Sequence, residues 1–348
     1  MNIYEQQASN RRMTAAIMVV FIGFFLLIGL GFDFFYLGYS PFPTEASYNP
    51  DGGFYQPVRS GLPVPIGTII ALLIGGGMAA NSLVNGPRMV LRSTMARRAL
   101  PDGGDKERQF LNVVSEMATA AGLPAPAAYI VPDPDLNAFA TGMSPGNSVI
   151  AVTQGLLDNL NREELQGVVA HEMSHIRNYD MRVMTVCAAL MGAIALISDF
   201  AGRTSRVGGR TSGGSSSGSS RKGGGGAALL LFVVWILLVI LAPIISRMLA
   251  MAISREREYL ADASGAELTR NPKALISALE KIRAAVMPTR AINNGVAHMC
   301  ITDPRGSLVE EKTGFIADLL ATHPPMEKRI LALKVMAYQA DKPAAARI

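Results

Sequence analysis

Four apolar runs divide the chain. Met13 to Phe32 carries no charge, and beyond Asp33 the run continues to Leu37. At about 1.5 Å of helical rise per residue, this length crosses the roughly 30 Å of bilayer hydrocarbon. A removable leader is the alternative, but the apolar core exceeds such a segment and no A-x-A-like site follows, so the run reads as a retained anchor. Pro65 to Val84, within an uncharged stretch bracketed by Arg59 and Arg88, makes a second span. Val183 to Ser198 is apolar but short, whereas Ala227 to Ile245 is longer, with Trp235 inside it and Pro243 as a kink point.

Between the second and third runs the periodicity changes. Glu107 to Ala121 has apolar positions at helical spacing and stops at Gly122 and Pro124. Ala127 to Val131 reads as a strand. Asn137 to Thr141 and Ser148 to Thr153 read as two more, separated by the turn residues Gly142, Pro145 and Gly146. Asn161-Arg162-Glu163-Glu164 resembles a capping box, opening a helix through Leu165, Val168 and Val169 into His171. After the fourth run, helices are expected around Arg255 to Glu267, Lys273 to Val286 and Pro325 to Met336. Residues 202–226 are Gly/Ser-rich, cannot bury a core and are expected to be a disordered linker.

Composition places this pattern in a membrane class. The chain is 49% hydrophobic and 17% charged, against about 25% charged in a usual soluble domain. The net charge of +5 does not indicate a nucleic-acid binder, because the basic residues flank apolar runs and form no face interleaved with aromatics. Cys187 and Cys300 show no CxxC spacing, which argues against a disulfide framework or a cysteine metal site.

Charge also orients the spans. Arg11 and Arg12 precede the first run, and Arg88, Arg92, Arg97 and Arg98 follow the second, while the loop between holds Arg59 alone. The positive-inside rule then puts both ends of this hairpin in the cytoplasm. The linker complicates the later runs, since it carries Arg203, Arg206, Arg210, Arg221 and Lys222. Either the first hairpin overrides the rule, or the third and fourth runs dip into the membrane without crossing. The resulting division is a cytoplasmic tail 1–12, span 13–37, non-cytoplasmic loop 38–62, span 63–86, first half of a catalytic domain 87–180, apolar helix 181–201, linker 202–226, apolar helix 227–251 and second half 252–348.

Residues 171–175 read His-Glu-Met-Ser-His. Positions i and i+4 share a helix face about 6 Å apart, so His171 and His175 can turn two imidazoles to one ion. Glu172, one step round, can reach a water on that ion but is poorly placed as a ligand. Val168-Val169-Ala170 marks the helix as buried, where two imidazoles need partners. A catalytic zinc needs a third ligand and an open fourth position. In SREREYLADASGA, residues 254–266, Glu258 and Asp262 lie one turn apart, suited to a ligand and a group that orients a ligand histidine. Glu256 and Glu267 compete with Glu258 on spacing alone, and a salt-bridged surface helix is the bland alternative.

HEMSH followed by EYLAD resembles the HExxH…ExxxD pattern of gluzincin metalloproteases. The string SREREYLADASGA, with NAFATG at 137–142, VTQGLL at 152–157 and THPPMEKRI at 322–330, resembles HtpX-type membrane zinc proteases, relatives of the CAAX prenyl endoproteases. The likeness covers essentially the whole chain, and the 202–226 insert departs from it. It implies a membrane α-helical protein, with two clear spans plus two further apolar helices, carrying an α+β gluzincin-type protease domain with a small sheet and a substrate-binding edge strand. It implies one zinc held by His171, His175 and Glu258, Glu172 as general base, Asp262 supporting His171, His323 stabilising the oxyanion, and Asn137 and Ala138 on the edge strand. His298 reads as structural, Arg329 is expected to pair with acidic groups nearby, and Asp180 resembles a family position whose role is open.

The function so implied is endoproteolysis of misfolded or damaged membrane proteins, or of unfolded polypeptide, from the cytoplasmic face of a bacterial inner membrane, with self-cleavage. A non-catalytic scaffold of the same fold would have no need of Glu172. A prenyl-protein endoprotease calls for more spans than the four at most read here.

Overall fold

Helix formation follows the sequence periodicity closely, and the longest helices are the most apolar. The computed structural model describes residues 3–35, 37, 39, 47–48, 54–55, 64–192, 255–285, 291–292, 296–302 and 324–341. The 202–226 and 227–251 segments, the end of the 181–201 helix and His323 lie outside the described residues. Two units divide the chain: Met1–Ala15 with Ser82–Ala195 and Ile245–Ile348, and Ala16–Asn81 with Leu196–Ile244.

Helix α1 (Ile3–Phe35) and helix α2 (Ile66–Ser93) each belong to both units, the second holding their parts within residues 16–81, and each is long and apolar enough to cross a membrane. Val19 is 70% exposed and Leu73 72%, a surface that water disfavours and lipid accepts. Gly29 lets these helices approach closely, since a Cβ there would meet Thr68 Cα at 2.5 Å. Asp33, the one charge inside the first apolar run, is buried and accepts from Gly67 N, Thr68 N and Thr68 Oγ1 at 2.6–2.7 Å. It thereby caps α2 with a carboxylate at the positive end of its dipole. Strands β1 (Ser47–Tyr48) and β2 (Phe54–Tyr55) pair antiparallel between the two helices in sequence.

The first unit holds a four-stranded mixed sheet of β3 (Arg97–Arg98), β4 (Ala127–Val131), β5 (Ala138–Ser144) and β6 (Asn147–Thr153), in the order β3-β4-β6-β5. Only β4 and β6 run parallel, and β5 is an edge. Around it come α3 (Asp105–Ala121), α4 (Gln154–Asn159), α5 (Arg162–Asn178), α6 over residues 180–192, α7 (Arg255–Thr269), α8 (Pro272–Ala284) and α9 (Met326–Asp341). The larger of two apolar clusters among the described residues has Phe110, Ile130, Ile150, Leu156, Met173 and Leu275 fully buried, and the smaller gathers Val131, Phe139 and Ala151 of the sheet with Met184 and Ala188 of α6.

Helix α5 is pinned at its start. Asn161 and Glu164 form the expected reciprocal capping box. The Glu164 carboxylate also accepts from Ser277 Oγ at 2.6 Å and Lys281 Nζ at 2.7 Å on α8. Burial alone would raise the Glu164 pKa, but the bonds from Lys281, Ser277 and the Asn161 N–H outweigh it and hold the carboxyl below its usual range. A depressed folded pKa contributes stability above the unfolded value of about 4.3, and this is lost as pH falls through the folded value. Glu164→Gln is expected to lose about 1–3 kcal/mol and to flatten the acid limb of the stability curve. Thermal unfolding in detergent from pH 7 to pH 3 measures both.

Candidate metal centre

Two helices meet at the centre. Helix α5 carries His171 and His175 one turn apart, and α7 carries Glu258 and Asp262 likewise. Gly265 permits the contact, because a Cβ there would lie 3.0 Å from His171 N. Of the three glutamates that spacing left in competition, Glu258 is buried against the histidines, while Glu256 and Glu267 are exposed.

His171 Nε2 lies 3.6 Å from Glu258 Oε2, and His175 Nε2 lies 3.5 Å from Glu258 Oε1. The rings stand 4.9 Å apart at 88°. A tetrahedral ion with bonds of about 2.0–2.1 Å spaces its ligands by roughly 3.4 Å, so the two separations fit one. The opposite ring nitrogens face carboxylates, with His171 Nδ1 2.9 Å from Asp262 Oδ1 and His175 Nδ1 3.2 Å from Asp180 Oδ2. An N–H at each Nδ1 leaves each Nε2 lone pair facing the shared point. His171 Nε2 is buried without a hydrogen-bond partner among the described residues, as are both carboxylate oxygens of Glu172. Such orphans are costly unless something occupies the space between them. This donor set fits a zinc ion.

Burial disfavours the imidazolium at both histidines, yet Asp262 and Glu258 hold the His171 pKa above the ordinary range, and Asp180 and Glu258 hold that of His175 well above it. Burial raises the pKa of Glu172, against the partial offset of His171 and His175. Burial would also raise Asp262, but Arg329 overrides it and holds this carboxyl at about 2.

Arg329 was the least legible part of the centre. It is fully buried and donates through Nε and Nη2 to both Asp262 oxygens at 2.8 Å. Its Nη1 donates to Ile301 O at 2.7 Å and lies 3.3 Å from Glu258 Oε2. The role of Asp180 was open, and the structure sets it against His175. The one sequence signal for Arg329 was its place in THPPMEKRI, beside His323, which lies outside the described residues. His298 is buried, with Nε2 3.0 Å from Met184 O.

The edge strand is covered where the substrate contact is expected. Asn137 and Ala138 do reach the outer edge of the sheet, but that edge is not open there. Ala138 O accepts Ile301 N–H at 2.9 Å, Phe139 bridges antiparallel to Cys300, and Asn137 Nδ2 donates to Thr302 O at 3.2 Å. The Ala138 N–H is used by Asn137 Oδ1 at 3.0 Å. A bare edge is a liability that chains commonly cover, and here residues 300–302 cover it.

Two histidines and a glutamate around one point, with a further buried glutamate beside the first histidine, are the equipment of a metallopeptidase. The chain belongs to peptidase family M48, whose model matches residues 105–337. It is 38% identical over 335 residues to a "Protease HtpX homolog" of Streptococcus pyogenes serotype M3 (strain SSI-1), covering 96% of this chain and all of that one. The same identity and coverage hold for the homolog of serotype M1. It is therefore a metalloprotease, and with its two candidate spans a membrane one. The crystal structure of S. mikatae Ste24p aligns over 78% of this chain and 59% of that chain, with 17% identity and a TM-score of 0.44, too distant a likeness to carry a conclusion.

Proposed function

We propose that this protein is a zinc-dependent endopeptidase cleaving misfolded or damaged membrane proteins at the cytoplasmic face of a bacterial inner membrane. The observation that carries the reading is the convergence of His171 Nε2, His175 Nε2 and the Glu258 carboxylate, beside Glu172, whose oxygens have no hydrogen-bond partner among the described residues. His171, His175 and Glu258 would hold one zinc. When bound, it serves as a Lewis acid towards the scissile carbonyl and the attacking water. Glu172 takes the proton of that water and passes it to the leaving amine, a shuttle suited to a carboxyl whose pKa burial has raised. Asp262 orients His171. His323 is assigned as the oxyanion donor from its sequence context. Segments 181–201 and 227–251 are assigned as two further membrane helices, and 202–226 as the place of self-cleavage.

The cytoplasmic orientation rests on the arginines flanking the first two apolar runs. An extended peptide pairing with β5 at Ala138 competes with Ile301 for the same carbonyl.

The test is metal analysis joined to cleavage of casein. We expect one zinc per chain, activity lost on chelation and restored by zinc, and metal lost in His171→Ala and Glu258→Ala. Cleavage persisting at full rate after complete metal removal defeats the reading.

A further inference from the structure

The metal helix α5 ends abruptly. Tyr179 takes a left-handed conformation at φ 62°, and α6 starts at once with Asp180. This turn folds Asp180 back under the helix it has just left, bringing Oδ2 to 3.2 Å from His175 Nδ1. Asp180 is 0% exposed. A carboxylate so buried needs hydrogen-bond partners to hold its place. Arg257 Nε lies 3.5 Å from Oδ1, too far for a good hydrogen bond. The short contact to Oδ1 comes from Asn10 Nδ2 at 2.7 Å.

Asn10 belongs to the first turns of α1, within the segment that reads from sequence as a mere tail. It is 1% exposed. Its second amide hydrogen goes to Asn178 O, also at 2.7 Å. Gln7 Nε2 donates to Arg177 O at 2.8 Å, and the Arg11 guanidinium stands 5.0 Å over the Tyr179 ring. Gln7, Asn10 and Arg11 share one helix face. Together they grip the four consecutive residues Arg177, Asn178, Tyr179 and Asp180.

We propose that Asn10 and Asp180 are positioning residues for His175, so that the N-terminal turns of α1 are part of the metal centre. Asn10 fixes the Asp180 carboxylate through an amide that only donates at this contact. Asp180 in turn fixes the proton on His175 Nδ1 and the tilt of the ring, and Nε2 is presented as a lone pair towards Glu258. Asp180 does for His175 what Asp262 does for His171. The inference rests on the reading of His175 as a zinc ligand.

The test uses the full chain in detergent, in a Glu172→Gln background to prevent self-digestion. Zinc affinity is read by competition with a chromophoric chelator, and ligand geometry by the visible spectrum of the Co²⁺-loaded protein. Asn10→Leu keeps the size and removes the donor, and Asp180→Asn removes the charge. Each is expected to weaken zinc binding about 10–100-fold and to alter the Co²⁺ spectrum. The double variant should be little worse than the worse single one, because both break one chain of contacts. Purely structural damage would instead add. Wild-type affinity and spectrum in Asp180→Asn, or additive losses in the double variant, overturn the inference even if Asn10→Leu fails to fold. His175→Ala is the control for the underlying reading. If it binds zinc as tightly as the parent, that reading fails, whereas its loss of zinc beside an unaffected Asp180→Asn defeats the positioning role alone.

Discussion

Glu172→Gln is expected to bind metal as the wild type does and to cleave about 10²–10⁴-fold more slowly, the usual contribution of a positioned general base. The substitution preserves shape and removes one property, the capacity to take up a proton. Glu172 is 1% exposed, and its oxygens have no hydrogen-bond partner among the described residues, so no described fold-stabilising hydrogen bond is lost with the charge. Its pKa is raised by burial, so the neutral amide also removes a desolvated charge, and the unfolding midpoint should hold or rise. Metal content, kcat and the midpoint measured on one preparation separate the cases. A variant with full zinc and full activity would remove Glu172 from the mechanism.

Arg329→Met should be the most destabilising single change near the centre, by about 3–5 kcal/mol, as is usual when one partner of a buried ion pair is deleted. Its guanidinium is 0% exposed and engages both oxygens of Asp262. Without it, Asp262 and Glu258 would be two buried carboxylates with a main counter-charge missing, and the Ile301 carbonyl would lose its donor at 2.7 Å. Acid should reproduce part of this loss. The Asp262 carboxyl is held at about 2, so its contribution is complete above the unfolded value of about 3.9 and fades as pH drops towards 2. Arg329→Lys keeps the charge but not the two-pronged geometry and should fall between the two. Denaturant unfolding at pH 7 and pH 3 reads both effects, and a wild-type midpoint for Arg329→Met would show that the pair contributes nothing net.

The sequence carried the local structure well. The three strands appear near their expected bounds, with β4 at Ala127–Val131 as read, and the capping box at Asn161 opens the helix that bears His171. These features depend on neighbours a few positions apart, and alternation, turn residues and caps record such neighbours directly. The long apolar helices were legible for the same reason, although α1 starts at Ile3, earlier than its apolar run. The paired histidines were legible because one helical turn separates them.

What sequence pattern alone determined, then, is that a buried helix presents two imidazoles and an adjacent glutamate, that acidic side chains on a later helix compete to join them, and that two apolar helices precede them. Spacing left Glu256, Glu258 and Glu267 in competition, the family resemblance named Glu258, and the packing of α7 on α5 sets Glu258 against both histidines. Tertiary structure alone decided that Arg329 locks Asp262, that residues 300–302 cover the edge at Ala138, and that Asn10 reaches Asp180 across 170 positions of chain. Each of these is a contact between groups far apart in sequence, brought within about 3 Å by the packing of whole helices and strands. No local periodicity encodes such distances, because burial of the shared core sets them, and only then do buried charges find the partners they need.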